Sequence, residues 1–345
     1  KVMSEGLQKI AGDRMRNILS AMTRNRFMGV LTGTLITAII QSSSASTVMV
    51  VSFVNAGLMS LVQSVGVIMG ANVGTTMTSW IITLFGVKVD ISAYVMPIIA
   101  ISIPLMFSSK SSHKSLSEFI LGFAMLFMGL GLISDNVPEL NPEQLEFLAG
   151  YSSMGFLSVL LFVAVGMIVT MIIQSSSASV GILQTLAGSG LISLSSAVFV
   201  LFGQNIGTCV TAVMSSTGAS KNAKRASMIH LYFNLIGTVV FLIVFYGANA
   251  VIGFDFMDKA VAPQNIAVVH SIFNVSATFC LLPFYKQLEK LSRVLVRDKA
   301  EENETVNRLD ERLLATPSVA AGVATDVTYA MAEVSFDSFK KALAL

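Results

Sequence analysis

The chain has 345 residues, of which 54% are hydrophobic and only 12% are charged, with a mean hydropathy of +0.74 and a net charge of +2. Soluble domains carry roughly a quarter charged residues, so this composition excludes a soluble globular domain and predicts an all-α polytopic membrane protein with the lipid bilayer as its surroundings. No nucleic-acid partner is predicted, although the net charge of +2 by itself says nothing on this point. Two cysteines in apolar stretches indicate no disulfide framework.

The first predicted element is a pair of half-length helices. Residues 1–26 are mixed and basic, Phe27–Ile40 is apolar, and Thr47–Met59 is apolar again after a run of serines. A crossing helix needs about 20 apolar residues, so neither half is long enough to cross. Two short helices that meet at a polar turn predict a re-entrant hairpin, which enters and leaves the membrane on the same side.

A longer apolar segment, Leu61–Phe85, follows the hairpin, and small and polar residues interrupt it at Gly70–Thr76. This pattern predicts a broken transmembrane helix. The remaining predicted elements, in chain order, are spans at Ile91–Phe107 and Leu116–Val137, a second hairpin at 156–188, a second broken helix at 191–217, a span near 226–252 and a last span near Ile266–Tyr285.

The hexapeptide QSSSAS occurs twice, at Gln41–Ser46 and again 133 residues later at Gln174–Ser179. The same offset pairs Gly70 with Gly203, and it continues through the downstream glycines, asparagines and threonines. The sequence therefore predicts two repeats: residues 1–133, which lack a first helix expected before Lys1, and residues 134–290, which include a final span. Residues 291–345 are predicted to form a cytosolic helical tail, with a helix over Val319–Leu345.

The number of crossings and the basic residues together predict how the repeats are oriented. Three predicted crossings separate equivalent points of the two repeats, and because three is odd the repeats are expected to be inverted relative to each other. The side that holds residues 1–26 also receives most lysines and arginines of the other loops, whereas the opposite side receives only Lys88 and Lys259. The positive-inside rule then places both termini in the cytoplasm.

The two serine runs have the chemistry of an oxyanion site. Each offers a glutamine amide, three hydroxyls and the free N–H groups of a helix start, and helix N-termini carry partial positive charge. Serine runs inside membrane-length apolar segments are expensive unless they line a site. The candidate oxyanion-binding residues are Gln41, Ser42, Ser43, Ser44, Gln174, Ser175, Ser176 and Ser177.

The predicted broken helices add asparagine and threonine oxygens together with unwound backbone carbonyls. Such hard oxygen ligands suit sodium ions, and the candidate sodium-binding residues are Asn72, Thr75, Thr76, Asn205 and Thr208. No acid occurs between Phe156 and Gly253, which disfavours a proton relay and favours cation-coupled anion uptake. His230/Asn234 and His270/Asn274, each spaced by four residues, are predicted to form hydrogen bonds between helices.

The paired Gln-Ser-Ser-Ser motifs, with Gly-Ala-Asn-Val-Gly-Thr-Thr and Gly-Gln-Asn-Ile-Gly-Thr-Cys, resemble the bacterial sodium/phosphate cotransporters related to the animal type II Na/Pi cotransporters. The resemblance covers about residues 1–290. It implies a sodium/phosphate symporter of the bacterial inner (plasma) membrane, with phosphate at the glutamine–serine residues and sodium at the asparagine–threonine residues. The segment at 308–317 resembles the linker to a PhoU-like domain in such proteins.

The predicted function is therefore sodium-coupled import of inorganic phosphate by alternating access, with no enzymatic activity and no cofactor beyond sodium as coupling ion. Two alternatives remain open. One is a sodium-coupled symporter of another oxyanion, sulfate or a dicarboxylate, and the other is a phosphate-sensing membrane protein. Stoichiometry and assembly into a homo-oligomer are also left open by the sequence.

Overall fold

The computed structural model of the chain describes residues 25–88, 91–136, 155–190, 192–254, 261–297, 313–314 and 317–343. No β-strand occurs in these ranges, which confirms the all-α prediction. The α-helices are α1 (Arg26–Ile40), α2 (Ser43–Asn55), α3 (Leu61–Ile82), α4 (Val95–Met106), α5 (Ser111–Asp135), α6 (Phe156–Ile173), α7 (Ser176–Gly188), α8 (Leu194–Ser215), α9 (Lys221–Ile252), α10 (Pro263–Leu281), α11 (Tyr285–Leu295) and α12 (Pro317–Leu343).

Six helical segments are long and apolar enough to cross a bilayer. They are Leu61–Gly86, Ser111–Asp135, Phe156–Ile173, Leu194–Ser215, Lys221–Asn249 and Pro263–Leu295. This confirms a polytopic membrane protein. The first helix of the second predicted hairpin, α6, is among them, so the re-entrant and inverted arrangement of the repeats stays a prediction.

The two repeats fold into the same succession of elements. In each, two helices are joined by a two-residue turn and a 22-residue helix follows, α3 in the first repeat and α8 in the second. The turn begins with a glutamine in the left-handed region, Gln41 at φ 57° and Gln174 at φ 54°. A serine then caps the next helix: Ser42 accepts from the Ala45 N–H, and Ser175 from the Ala178 N–H.

The prediction that α3 and α8 are broken helices is wrong, because both run without interruption through their glycine-rich segments. The glycines serve close helix packing instead. A Cβ on Gly70 would lie 2.0 Å from the Val30 carbonyl oxygen of α1, and one on Gly203 would lie 2.0 Å from the Val163 carbonyl oxygen of α6. Small residues at such contacts let two membrane helices approach backbone to backbone. No unwound carbonyls are therefore available there.

The predicted span Ile91–Phe107 is shorter than expected. A 3-10 turn occupies Ile91–Tyr94, and α4 itself has 12 residues, or about 18 Å of helix against a hydrocarbon thickness of about 30 Å. A π-helix, Thr83–Lys88, continues α3 just before this region. These irregular turns take up residues that a regular crossing helix would use. The predicted number of membrane crossings between the repeats includes this segment, so that number requires a topological test.

Two large hydrophobic cores hold the helices together. In one, Phe233 of α9, from the second repeat, is fully buried with Val65 and Met69 of α3, from the first. In the other, within the second repeat, the Phe202 and Phe273 rings lie 4.9 Å apart between centroids. The remaining helices follow the sequence prediction: α5, α9 and α10 lie where spans were predicted, and α12 lies where the tail helix was predicted. The likeness of the tail to a PhoU domain stays a prediction.

Candidate functional site

The two helix turns meet inside the protein. We call Gln41–Ser44 tip one and Gln174–Ser177 tip two. The Ser43 and Ser176 hydroxyl oxygens are 3.0 Å apart, and both side chains are buried. The structure therefore brings together the centres of the two sequence motifs, as a single site built from two halves requires.

Threonines from the long helices complete the contact between the repeats. The hydroxyl oxygens of Thr211 of α8 and Ser44 are 3.3 Å apart, and Ser177 donates to the Thr78 hydroxyl of α3 at 3.4 Å. Thr78 also donates to the Gln41 side-chain oxygen at 2.9 Å. Each tip therefore contacts the long helix of the other repeat.

Thr78 and Thr211 were missed as site residues by the sequence reasoning. They are separated by the same 133 residues as the two serine runs, so the repeat alignment contained a signal for both. The tips also differ in one respect. Gln41 takes part in this network and donates to the Ala38 carbonyl, whereas Gln174 has an exposed side chain.

The hydroxyls at the tips fit an oxyanion. The capping oxygens of Ser42 and Ser175 accept backbone N–H groups, which leaves their own hydrogens free to donate. The helix starts of α2 and α7 add partial positive charge. In the described residues no group of three or more histidine, cysteine or acidic side chains could hold a metal ion.

The candidate sodium residues lie on intact helices and are tied to neighbouring groups. Thr75 donates to the Ala71 carbonyl and Thr208 to the Gln204 carbonyl, each at 2.9 Å. Thr76 donates to the Val73 carbonyl at 2.8 Å. These bonds use the hydroxyl hydrogens and leave lone pairs on the oxygens, so the threonines can still accept a cation.

Both candidate asparagines contact histidines of other helices. The Asn72 side-chain oxygen lies 3.4 Å from His230 Nε2 and accepts from the Asn234 amide at 3.2 Å. The Asn205 side-chain oxygen lies 3.3 Å from His270 Nε2. These contacts confirm the predicted interhelical bonding for His230, Asn234 and His270. Asn274 instead donates to the His270 carbonyl of its own helix at 2.9 Å. The Asn72 oxygen therefore already accepts a hydrogen bond, from the Asn234 amide.

Several buried acceptor oxygens have no hydrogen-bond partner. They include the side-chain oxygens of Asn234, Thr238, Asn274 and Thr278. Residues 230, 234 and 238 recur as the same series at 270, 274 and 278, so each histidine begins a line of polar residues on one helix face. Buried acceptors without a donor require an explanation, and an ion is one of the standard ones.

Gln184 of α7 breaks the symmetry between the repeats. Its amide nitrogen donates to the Ser79 carbonyl at 3.1 Å, the Thr83 hydroxyl at 2.9 Å and the Pro263 carbonyl at 3.0 Å. The equivalent position in the first repeat is Val51, which packs in an apolar core. These three bonds have no equivalent at Val51, although α2 has a different polar bond, which Asn55 accepts from the Ser220 N–H at 2.7 Å.

Comparison with known proteins gives a family. The profile described as "Na+/Pi-cotransporter" matches residues 1–135 and 147–261. The chain is 30% identical over 301 residues to "Uncharacterized protein YqeW" of Bacillus subtilis, covering 86% of this chain and 94% of that protein. No solved structure gives a significant match.

Two further relatives have functional names. "Putative inorganic phosphate export protein YjbB" of Escherichia coli K12 is 26% identical over 322 residues, and the match covers 92% of this chain but only 58% of that protein. "Sodium-dependent phosphate transport protein 2A" of Ovis aries is 41% identical over 76 residues, which is 22% of this chain and 12% of that protein. On the strength of the family match over most of its length, the chain belongs to the Na+/Pi-cotransporter family.

Proposed function

We propose that this chain imports inorganic phosphate together with sodium by alternating access, with phosphate held between tip one and tip two. The observation that carries the proposal is the 3.0 Å contact between the Ser43 and Ser176 hydroxyls. A tetrahedral anion between the tips would separate these two oxygens and take a hydrogen bond from each. No chemical conversion of phosphate is involved.

The tips supply donors without supplying a fixed positive charge. Hydroxyls and the helix starts at Ser43 and Ser176 can bind a phosphate oxygen, yet they cannot neutralise the whole anion. Co-bound sodium would supply the missing charge. Sodium is therefore a co-substrate in this account, and neither ion would bind well alone.

For sodium we retain Asn72, Thr75, Thr76, Asn205 and Thr208 as candidate ligands and add the side-chain oxygens without partners. Asn234 lies against Asn72, and its own oxygen is free. A sodium ion there would take oxygens from two neighbouring helices and would not need an unwound backbone. The same argument applies to Asn274 and Thr278 in the other half.

The test is transport by the purified chain in proteoliposomes. An inward sodium gradient should drive accumulation of labelled phosphate, and potassium in place of sodium should abolish it. An excess of arsenate, sulfate or a dicarboxylate in parallel assays identifies the anion class. Saturable binding without accumulation would instead indicate a phosphate sensor, and accumulation of sulfate in preference to phosphate would indicate the other alternative.

Export is the second candidate, because the Escherichia coli relative is named as an export protein. A sodium symporter carries both ions in the same direction, so an inward sodium gradient drives import. In vesicles preloaded with labelled phosphate, our proposal expects efflux to be slowed by inward sodium and accelerated by outward sodium. Phosphate efflux that is not slowed by an inward sodium gradient would favour export. We place the protein in the bacterial plasma membrane with both termini in the cytoplasm.

A further inference from the structure

A cavity of about 620 Å³ lies beside tip one, between α1 and α3 on one side and α4 and α5 on the other. Nine of its eleven lining residues are apolar, among them Ile39, Ile81 and Phe123. The two polar lining residues are Gln41 and Thr78. We call this space the lateral cavity.

The lateral cavity cannot be a second place for phosphate. An anion transferred into an apolar space without donors loses its hydration and gains nothing in return. The two polar residues are also bonded to each other, since Thr78 donates to Gln41 at 2.9 Å. Thr78 in turn accepts from Ser177 of tip two. The Gln41–Thr78 pair therefore lies between the lateral cavity and the serines of the tips.

The position of the lateral cavity indicates what fills it. Its walls include residues of two membrane-crossing segments, Leu61–Gly86 and Ser111–Asp135, so it lies at the depth of the bilayer hydrocarbon. Ile39, on its lining, is 51% exposed, so this side of the cavity reaches the lipid-facing surface. An empty apolar space loses dispersion contacts on all of its walls, and neighbouring hydrocarbon can restore them.

We propose that the lateral cavity binds a hydrocarbon chain of a bilayer lipid, and that this chain acts on tip one through Gln41 and Thr78. A bound lipid chain would fill the space between α3 and α5 and pack against the Gln41–Thr78 pair on the side away from the serines. Phosphate between the tips and a lipid chain in the lateral cavity would then lie on opposite sides of the Gln41–Thr78 pair. Each should therefore change the binding affinity of the other.

The equivalent residues of the second repeat are more exposed. Ile172 and Gln174 are the counterparts of Ile39 and Gln41, and Ile172 is 77% exposed. Gln174 is exposed as well, whereas Gln41 is half-buried. The proposed lipid chain therefore acts on tip one.

Photolabelling tests the binding. The full chain is reconstituted with phosphatidylcholine that carries a diazirine on one acyl chain, irradiated, and mapped by peptide mass spectrometry. We expect label on Phe85 and Phe123, which both line the lateral cavity and whose rings pack edge to face at 5.6 Å between centroids. Ile120→Trp, which fills the cavity from α5, should lose most of the label on Phe85. Met125→Trp is the matched control on the same helix, since Met125 is 50% exposed and is not part of the lining.

Equal labelling of Phe85 in both variants would overturn the site. Should Ile120→Trp fail to fold, as judged by its thermal transition, Ile98→Phe fills the cavity from α4 and takes its place. Addition of phosphate with sodium should change the label on Phe85 but not on the exposed Ile101, and an unchanged Phe85 yield would overturn the link to tip one. Labelling without added phosphate needs no transport, so its failure is distinguishable from failure of the proposed function.

Discussion

The Ser43 and Ser176 hydroxyl oxygens lie 3.0 Å apart although 133 residues separate them in the chain. Each serine is the first residue of a helix, α2 or α7, and each helix is capped by the serine just before it. The contact therefore places two helix starts at one point, where partial positive charge and hydroxyl hydrogens coincide.

Ser43→Ala and Ser176→Ala should each weaken phosphate binding by similar amounts. Loss of one hydrogen bond to a charged group costs about 1.5–3 kcal/mol, which corresponds to roughly 10- to 150-fold in affinity. Because the two hydroxyls contact each other, the double variant should lose less than the two single losses combined. Ser195→Ala is the control, and sodium-dependent uptake at equal surface expression is the measurement. Parent-like uptake by both single variants would place the site elsewhere.

Gly70→Ala and Gly203→Ala should destabilise the protein if these glycines serve close packing. A Cβ at either position would lie 2.0 Å from a carbonyl oxygen of the facing helix, and overpacking of this kind typically costs about 1–3 kcal/mol. Gly129→Ala, on α5, is the matched control, since nothing lies within 4 Å of its added Cβ. Thermal unfolding in detergent measures the difference. Unchanged stability of Gly70→Ala and Gly203→Ala, with transport alone impaired, would instead identify hinges.

The sequence predicted the paired tips and most helices because spacing and composition determine them locally. Small residues such as Gly70 and Gly74 were misread as a helix break, since the same residues suit a break and a close helix contact. The choice depends on the partner helix, here α1, and a single sequence does not show which helices pack together. The bonds of Gln184 likewise join three segments that are far apart in the chain.

Cysteines introduced at Ser112 and Asn141 should react with an impermeant reagent from opposite faces of the membrane. Ser112 is exposed at the start of α5, whereas Asn141 lies outside the described residues. The inverted arrangement predicts Asn141 outside and Ser112 inside. Cys280 is exposed and should first be replaced by serine, whereas Cys209 is buried. Labelling of both sites from one face would contradict the inverted repeats.

Thr238→Val and Thr278→Val test the sodium proposal. Each removes a buried hydroxyl that has no hydrogen-bond partner, so the folded protein should lose little stability or gain some. If the oxygens bind sodium, the sodium concentration for half-maximal uptake should rise by about tenfold, equivalent to ~1.4 kcal/mol. Ser271→Ala, on α10, is the control, because the Ser271 hydroxyl already donates to the Ala267 carbonyl and accepts from Trp80 Nε1. An unchanged sodium requirement would show that these threonines only pack.

The most direct test of sodium-coupled phosphate binding is the phosphate dissociation constant of the purified protein as a function of sodium concentration. If the two ions share charge at the tips, phosphate should bind more tightly as sodium rises, and sodium should bind more tightly as phosphate rises by the same factor. Potassium should have no such effect. A phosphate dissociation constant that stays constant across the sodium series would contradict the account.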